Sequence, residues 1–325
     1  MPDTSRFLLR WALGRQNTVK LSDISMERFK TMLWLSKLSI ASFQKWFPDA
    51  DFVLLYNGDA FDEFVGAFEE TSPLLLKKVH IVDQVAELNN VWDNPYHYWP
   101  MGVWWKWLPF RLDLSKNEIA VDTDIICLSR PDNWYDWAES GKPVIIAPER
   151  FKTVKVNTCG DLWDHPLVKD KQPFNCGVVG QLAEHDYAER FFETTKMVRI
   201  GETHDSMFIT EQGVVNVWVR SLEVEGIQHY CLDFQRNAWI RDFLFFMING
   251  VRVETVHATT WHKDIVRDLR PVFERRVFDD GYSDEAFLSE LMAGAKELDA
   301  FGKGVLYRQI GAAEQMDVEF VVPGR

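Results

Sequence analysis

Residues 118–128, EIAVDTDIICL, decide how the chain is read. Ile119, Ala120 and Val121 are apolar, as are Ile125 and Ile126, and Asp122 and Asp124 sit between the two groups. β-Branched runs of this kind suit a buried strand. Carboxylates are not left at the end of such a strand without a partner, because desolvating an uncompensated charge is expensive. Residues i and i+2 of a strand point to the same side, so the pair can converge on one cation. Hard oxygen ligands suit Mg²⁺ or Mn²⁺. The competing reading is a strand that ends in an Asp-Thr-Asp turn whose side chains cap backbone amides.

Working outward, Phe7–Leu13 reads as a first strand and Asp51–Tyr56 as a second, stopped by Asn57-Gly58. Between them Phe29, Leu33, Ile40, Phe43 and Phe47 follow helical spacing behind Ser22 and Ser25, which can cap. Residues 79–82 and 144–147 are further strands, and 173–180 (PFNCGVVG) is a strand with a glycine kink. Residues 84–100 and 157–172 read as loops, and 101–112 as a short helix carrying Trp104, Trp105, Lys106 and Trp107. Helices are expected over 183–198, 205–221 and 284–300, and a strand over 251–257. This order begins a doubly wound α/β sheet.

Composition narrows the function. The chain has 325 residues, 46% hydrophobic and 26% charged, enough for one large α/β domain. A net charge of −13 argues against a sequence-independent grip on nucleic acid. Any phosphate it binds needs a local cation. The four cysteines, Cys127, Cys159, Cys176 and Cys231, lack CxxC spacing and read as reduced packing residues of a cytoplasmic protein. No apolar segment is long enough to span a membrane, and the N-terminal apolar run is too interrupted for a signal peptide.

Five short elements then line up: Lys106, Asp122-Thr-Asp124, Asn175-Cys176-Gly177, Glu211-Gln212 with Asn216, and His257 with Lys263 six residues on. Together they resemble the GT-A nucleotide-sugar glycosyltransferases, most closely the retaining family 8 group that includes glycogenin and lipopolysaccharide galactosyltransferases. The resemblance runs from Lys106 to Lys263. It implies a GT-A (Rossmann-like), mixed and mostly parallel sheet flanked by helices, with a catalytic domain over 1–265 and a helical C-terminal extension over 266–325.

Residue by residue, it implies Asp122, Asp124 and His257 as ligands of Mn²⁺ or Mg²⁺, with Lys263 on the diphosphate and Lys106 reaching the donor from the helix before the DxD. Asn175 and Gly177 would lie beside the donor sugar, with Gln212 and Glu211 flanking the anomeric carbon. The implied partners are a nucleotide-diphosphate sugar, UDP-linked, and a hydroxyl acceptor on a glycan, a lipid-linked sugar or a small molecule, received by the loops at 84–100 and 157–172. Basic C-terminal segments in the family touch lipid, which makes the run Arg267, Arg270, Arg275, Arg276 a peripheral contact with the inner face of the membrane; its other reading is a solvated face.

The chain departs from the family in having Thr260 where glycine is usual, Asp264-Ile265 after the lysine, and Glu211 where aspartate is commoner. Its first strand lacks the Asp-x-x-Tyr that surrounds the uracil, which leaves Trp11 or Arg15 as base contacts. Simpler readings stand beside these. His257 reads also as a satisfied core histidine, Lys106 as a snorkelling lysine, Asn175 as a backbone cap, and the tryptophans between 92 and 107 as packing. Two other functions remain: a DxD phosphatase of the haloacid-dehalogenase type, with Val277 to Gly281 (VFDDG) as its late acidic motif, and a non-catalytic sugar-nucleotide binder.

Overall fold

The computed structural model describes residues 3–13, 26–58, 60–70, 74–90, 103–149, 156–197, 207–240, 242–258 and 263–300. In order, β1 (Phe7–Leu13) leads to α1 (Met26–Gln44), β2 (Asp51–Tyr56), α2 (Phe61–Glu70), β3 (His80–Asp83) and α3 (Gln84–Asn90). After a 3-10 turn at Val103–Trp107 come β4 (Asn117–Val121), β5 (Ile125–Cys127), α4 (Asp132–Ser140) and β6 (Val144–Pro148). Then follow α5 (Val156–Cys159), β7 (Phe174–Gln181), α6 (Ala188–Thr195), α7 (Met207–Val224), β8 (His229–Cys231), β9 (Asn237–Trp239), α8 (Phe243–Ile248) and β10 (Thr255–His257). Helices α9 (Lys263–Asp268), α10 (Arg270–Phe278) and α11 (Asp284–Ala300) close the described chain.

Seven strands of the described residues form one sheet in the order β3-β2-β1-β4-β7-β6-β8. Pairing is parallel from β3 through β4 and again between β6 and β8, and antiparallel on both sides of β7. The result is the mixed, mostly parallel sheet flanked by helices that the motif order implied. Because β7 alone runs the other way, its start lies at the same edge as the carboxyl ends of β4 and β6. Crevices outside the carboxyl ends of such strands are where open α/β sheets hold ligands.

The 118–128 run is not one strand. It breaks at the aspartates into β4, inside the large sheet, and β5, inside a second sheet of order β5-β10-β9. A turn joins them, closed by Ile125 N–H donating to Asp122 O at 3.1 Å. The two carboxylates therefore converge through a turn and not through strand pleat. On β5, Ile125 and Cys127 enter the core beneath α1 and β1, while Ile126, and Leu128 just after the strand, enter another with β9, β10 and the C-terminal helices.

Strand alternation sorts β1 in the same way. Phe7, Leu9, Trp11 and Leu13 share the core with Phe43 of α1 and Phe47 just beyond it, while Leu8 packs with Val53 and Leu55 on the opposite face. Buried charge on that face closes on itself. Arg10 and Arg111 both pair with Glu118, at 3.0 and 3.3 Å, and Glu118 also accepts the backbone N–H groups of Leu112 and Asp113. This knot ties β1 to β4 and to the segment that follows Lys106.

Several elements differ from the sequence reading. Helices α2 and α4 were not expected, and α3 occupies the start of what reads as a loop over 84–100. Beyond residue 265, apolar side chains including Val266, Leu269, Phe273 and Phe287 share a core with Trp34, Leu35 and Leu38 of α1. The arginine run is spoken for: Arg267 pairs with Asp268, Arg270 with Glu274, Arg275 with Glu290 and Arg276 with Asp284. Such paired guanidiniums do not offer lipid a bare basic face. No described helix is long and apolar enough to cross a membrane. All four cysteines are free thiols.

Candidate metal and donor site

At the carboxyl edge of the sheet the chain leaves β4 at Asp122, leaves β6 at Glu149, and enters β7 through Asn175 and Gly177. Asp122 N–H donates to Gly177 O at 2.8 Å, and this bond sets the DxD turn against β7. The small sheet supplies the third side. His257 of β10 lies opposite Ile125 of β5 and beside Trp239 of β9, and Ala258 N–H donates to Asp124 O at 2.8 Å.

These pairings bring one ligand atom each from Asp122, Asp124 and His257 within 4.8 Å of one another. His257 Nε2 is 3.3 Å from Asp124 Oδ1 and 3.8 Å from Asp122 Oδ2. Ligand atoms at ~2.1 Å from an octahedral ion are about 3 Å apart when adjacent and about 4.2 Å when opposite. Two hard carboxylates and one imidazole at these separations fit Mn²⁺ or Mg²⁺ with small adjustments. Asp124 and His257 have side chains only 8% and 14% exposed, whereas Asp122 is 30% exposed and forms the open side.

Charge explains why a cation is wanted there. Among the described residues, Asp122, Asp124, Glu149 and Glu211 crowd around one ammonium, Lys106, and one imidazole, His257. Burial works against a charged His257, but Asp124 first and then Asp122 outweigh it and raise its pKa. Burial also opposes the Lys106 charge, and Asp122 and Glu211 outweigh it, holding the ammonium well above its ordinary value.

Lys106 reaches Asp122 Oδ1 at 3.0 Å, Glu211 Oε1 at 2.9 Å and Cys176 O at 3.0 Å. Those contacts take all three of its N–H donors. It therefore links the DxD turn to α7 and is not a snorkelling side chain. The backbone that carries it is anchored by Gln84, whose amide donates to Trp105 O and Leu108 O and accepts from Asn57. Glu211 is fully engaged inside: burial raises its pKa, and Lys106 and the Trp107 indole N–H, 2.8 Å away, offset part of the rise.

Gln212, half-buried, sits one step nearer the open side. Its Nε2 donates to Glu149 Oε2 and Thr158 O, each at 2.9 Å, and its Oε1 accepts from Asn175 Nδ2 at 3.2 Å. Asn175 Oδ1 in turn accepts the Gly177 N–H at 2.8 Å. Asn216, in the same motif, serves the fold: it exchanges bonds with both the N–H and the C=O of Phe174 and docks α7 on β7. Gly213 lets α7 abut α5, since a Cβ there would lie 2.2 Å from Cys159 O.

Not every expected site residue is here. Trp11 lies in the core at 1% exposure, stacked on Phe52 and donating its indole N–H to Ser39, with no face left for a base. Arg15 and the loop at 91–102 fall outside the described residues, as does the side chain of Lys263, whose backbone opens α9. Glu149 was missed. The sign was available, because it follows the apolar run VIIAP as Asp122 follows IAV.

No known family model and no curated protein sequence matches the chain. Solved glycosyltransferase structures do match it. Mouse xyloside xylosyltransferase 1 is 14% identical with a TM-score of 0.46, the match covering 79% of this chain and 98% of that one. The galactosyltransferase LgtC, solved with donor and acceptor sugar analogues, is 12% identical with a TM-score of 0.45, over 88% and 95% of the two chains. For the bifunctional glycosyltransferase WbbM the figures are 10% and 0.47, over 87% of this chain and 51% of that one.

Proposed function

We propose that this chain is a metal-dependent glycosyltransferase, moving a hexose from a UDP-linked donor to a hydroxyl on a glycan, a lipid-linked sugar or a small acceptor, with retention at the anomeric carbon. One observation carries the reading: Asp122, Asp124 and His257 converge at the carboxyl edge of the sheet, beside Asn175, Gly177 and Gln212, in the motif order seen in the sequence. Retention, the uracil base and the 1–265 extent of the catalytic unit come from the family resemblance.

Asp122, Asp124 and His257 would hold Mn²⁺ or Mg²⁺, which when bound supplies Lewis-acid stabilisation of charge on the departing diphosphate, an effect worth several kcal/mol. The other residues prepare the ground. Lys106 fixes Asp122 from behind and offsets part of the burial that raises the Glu211 pKa. Lys263, at the start of α9, is assigned to the diphosphate. In the reaction the bond from the anomeric carbon to the β-phosphate oxygen breaks, and its electron pair leaves with UDP. The acceptor oxygen forms the new bond, and its proton passes to the departing phosphate. The carbonyl oxygen of Gln212 faces the positive charge that develops on the sugar between these events.

The aspartates of VFDDG, offered for the phosphatase reading, are engaged elsewhere: Asp279 accepts from Gly281 and Asp280 pairs with Lys45. Calorimetric titration of UDP with Mn²⁺ and with chelator, for wild type and Asp124→Ala, tests the proposal. Metal-dependent binding that vanishes in the variant is expected. Binding that ignores both metal and variant would sink the metal mechanism, and absence of UDP binding would sink the donor assignment.

A further inference from the structure

Gln212 is asked to present an oxygen, yet an amide side chain can present either end. Which end faces the donor depends on its neighbours. Glu149 Oε2, a carboxylate oxygen, and Thr158 O, a backbone carbonyl, can only accept hydrogen bonds, and both lie 2.9 Å from the same atom of Gln212. That atom must be the NH₂. With both of its protons committed, Oε1 is left toward Asn175, whose own NH₂ is shared between Gln212 Oε1 at 3.2 Å and Glu149 Oε2 at 3.3 Å. Glu149 thus orders two amides at once, and through Asn175 Oδ1 on the Gly177 N–H the order extends to the strand beside the metal ligands.

Glu149 is 3% exposed, and the fold holds it in place: it follows β6 directly, and its N–H donates to Pro173 O at 3.0 Å just before β7 begins. A buried carboxylate at this point needs donors, and Gln212 and Asn175 are among those it has. A charged acceptor holds an amide more firmly than a neutral one. Replacing it with an amide of the same shape removes that preference, because a second NH₂ can then face Gln212 and turn it over.

We propose that Glu149 is a positioning residue for glycosyl transfer: it fixes the Gln212 amide with the carbonyl oxygen turned toward the Asn175–Gly177 strand. Its catalytic consequence rests on the function proposed above; its effect on the amide does not. The comparison is therefore made in two ways, on wild type, Glu149→Gln, Gln212→Leu and the double variant.

In ¹⁵N-glutamine-labelled protein, free of ligand, Gln212→Leu identifies the Gln212 side-chain NH₂ peaks by removing them. Wild type should show them shifted from the free-amide position, and Glu149→Gln should return them toward it while the other glutamine amides stay put. Hydrolysis of UDP-glucose and UDP-galactose in Mn²⁺ is the kinetic arm. Glu149→Gln should lower kcat about ten- to a hundredfold, the scale of one charge-assisted hydrogen bond, with KM and UDP affinity unchanged. The double variant should be no slower than Gln212→Leu. Gln212 peaks that ignore the Glu149 substitution overturn the proposal, as do independent, multiplying losses in kcat. A wild type that binds no UDP overturns the donor assignment instead, and the amide spectra then decide the role of Glu149 alone.

Discussion

Gly177→Ala isolates the link between strand packing and cation binding. A Cβ at Gly177 would lie 2.8 Å from His257 Cε1, 2.8 Å from Asn175 Oδ1 and 3.1 Å from Ile125 Cδ1. Restoring an ordinary 3.4 Å contact requires the imidazole to retreat by about 0.6 Å, while metal ligands tolerate about 0.2 Å. Such a retreat disturbs the placing of His257 against Asp122 and Asp124, and affinity for Mn²⁺ should fall about 10–100-fold, the range seen when a ligand loses its orientation. Overpacking should also cost about 1–3 kcal/mol of stability. Gly180→Ala is the control. Its Cβ would meet Glu118 O at 2.7 Å and Ile145 Cγ2 at 2.8 Å, a comparable clash on the same strand away from the ligands. Calorimetric Mn²⁺ titration and urea denaturation of both variants should show both destabilised but only Gly177→Ala impaired in binding. Equal Mn²⁺ affinity in wild type and Gly177→Ala would refute the assignment of His257 as a ligand held by this strand.

Lys106→Met leaves Glu211 buried without its ammonium and should cost about 3–5 kcal/mol at pH 8. Burial raises the Glu211 pKa above its unfolded value, so the native state holds the proton more tightly. That contribution is fully present below the unfolded pKa and lost as pH rises through the folded one; urea denaturation should therefore show a smaller deficit at pH 5 than at pH 8. Glu118→Gln strips charge from between two buried guanidiniums and should cost about 3–5 kcal/mol in the same assay, with no change in Mn²⁺ affinity. Saturating Mn²⁺ at about 100 times its Kd should stabilise wild type by about 2.7 kcal/mol, read as a rise in Tm, and leave Asp124→Ala unmoved.

Local pattern made β1 and β2 readable to the residue, because apolar alternation and the Asn57-Gly58 stop are both short-range signals. The same alternation places Trp11 with Phe7 and Leu9 on the core face; weighing the strand's facing before the ring's stacking ability would have removed it from the site. Helix α2 carries Phe61, Phe64 and Phe68 at helical spacing, yet at 10 residues it is short enough to pass for loop. The DxD run misled in a different way. Five apolar neighbours look like one strand, and only the pairing of β5 with distant β10 reveals the change of sheet. His257 closes the strand read over 251–257, of which only Thr255–His257 pairs, and its place among the ligands rests on its spacing to Lys263 and on the presence of the DxD. Glu149, Asn175 and Gln212 meet across 26 to 63 positions of sequence, a juxtaposition made by the sheet order and invisible to any local window.

The break at the aspartates has a mechanical side. Asp122 directly follows a strand of the large sheet, Asp124 precedes a strand of the small one, and His257 returns on that strand's antiparallel neighbour. An ion gripping all three would rivet the two sheets across their seam. Any shear of one sheet past the other would then stretch the coordination bonds. The cation would thus be a structural fastener as well as an electrophile, and its loss would loosen the seam between two cores that share β5.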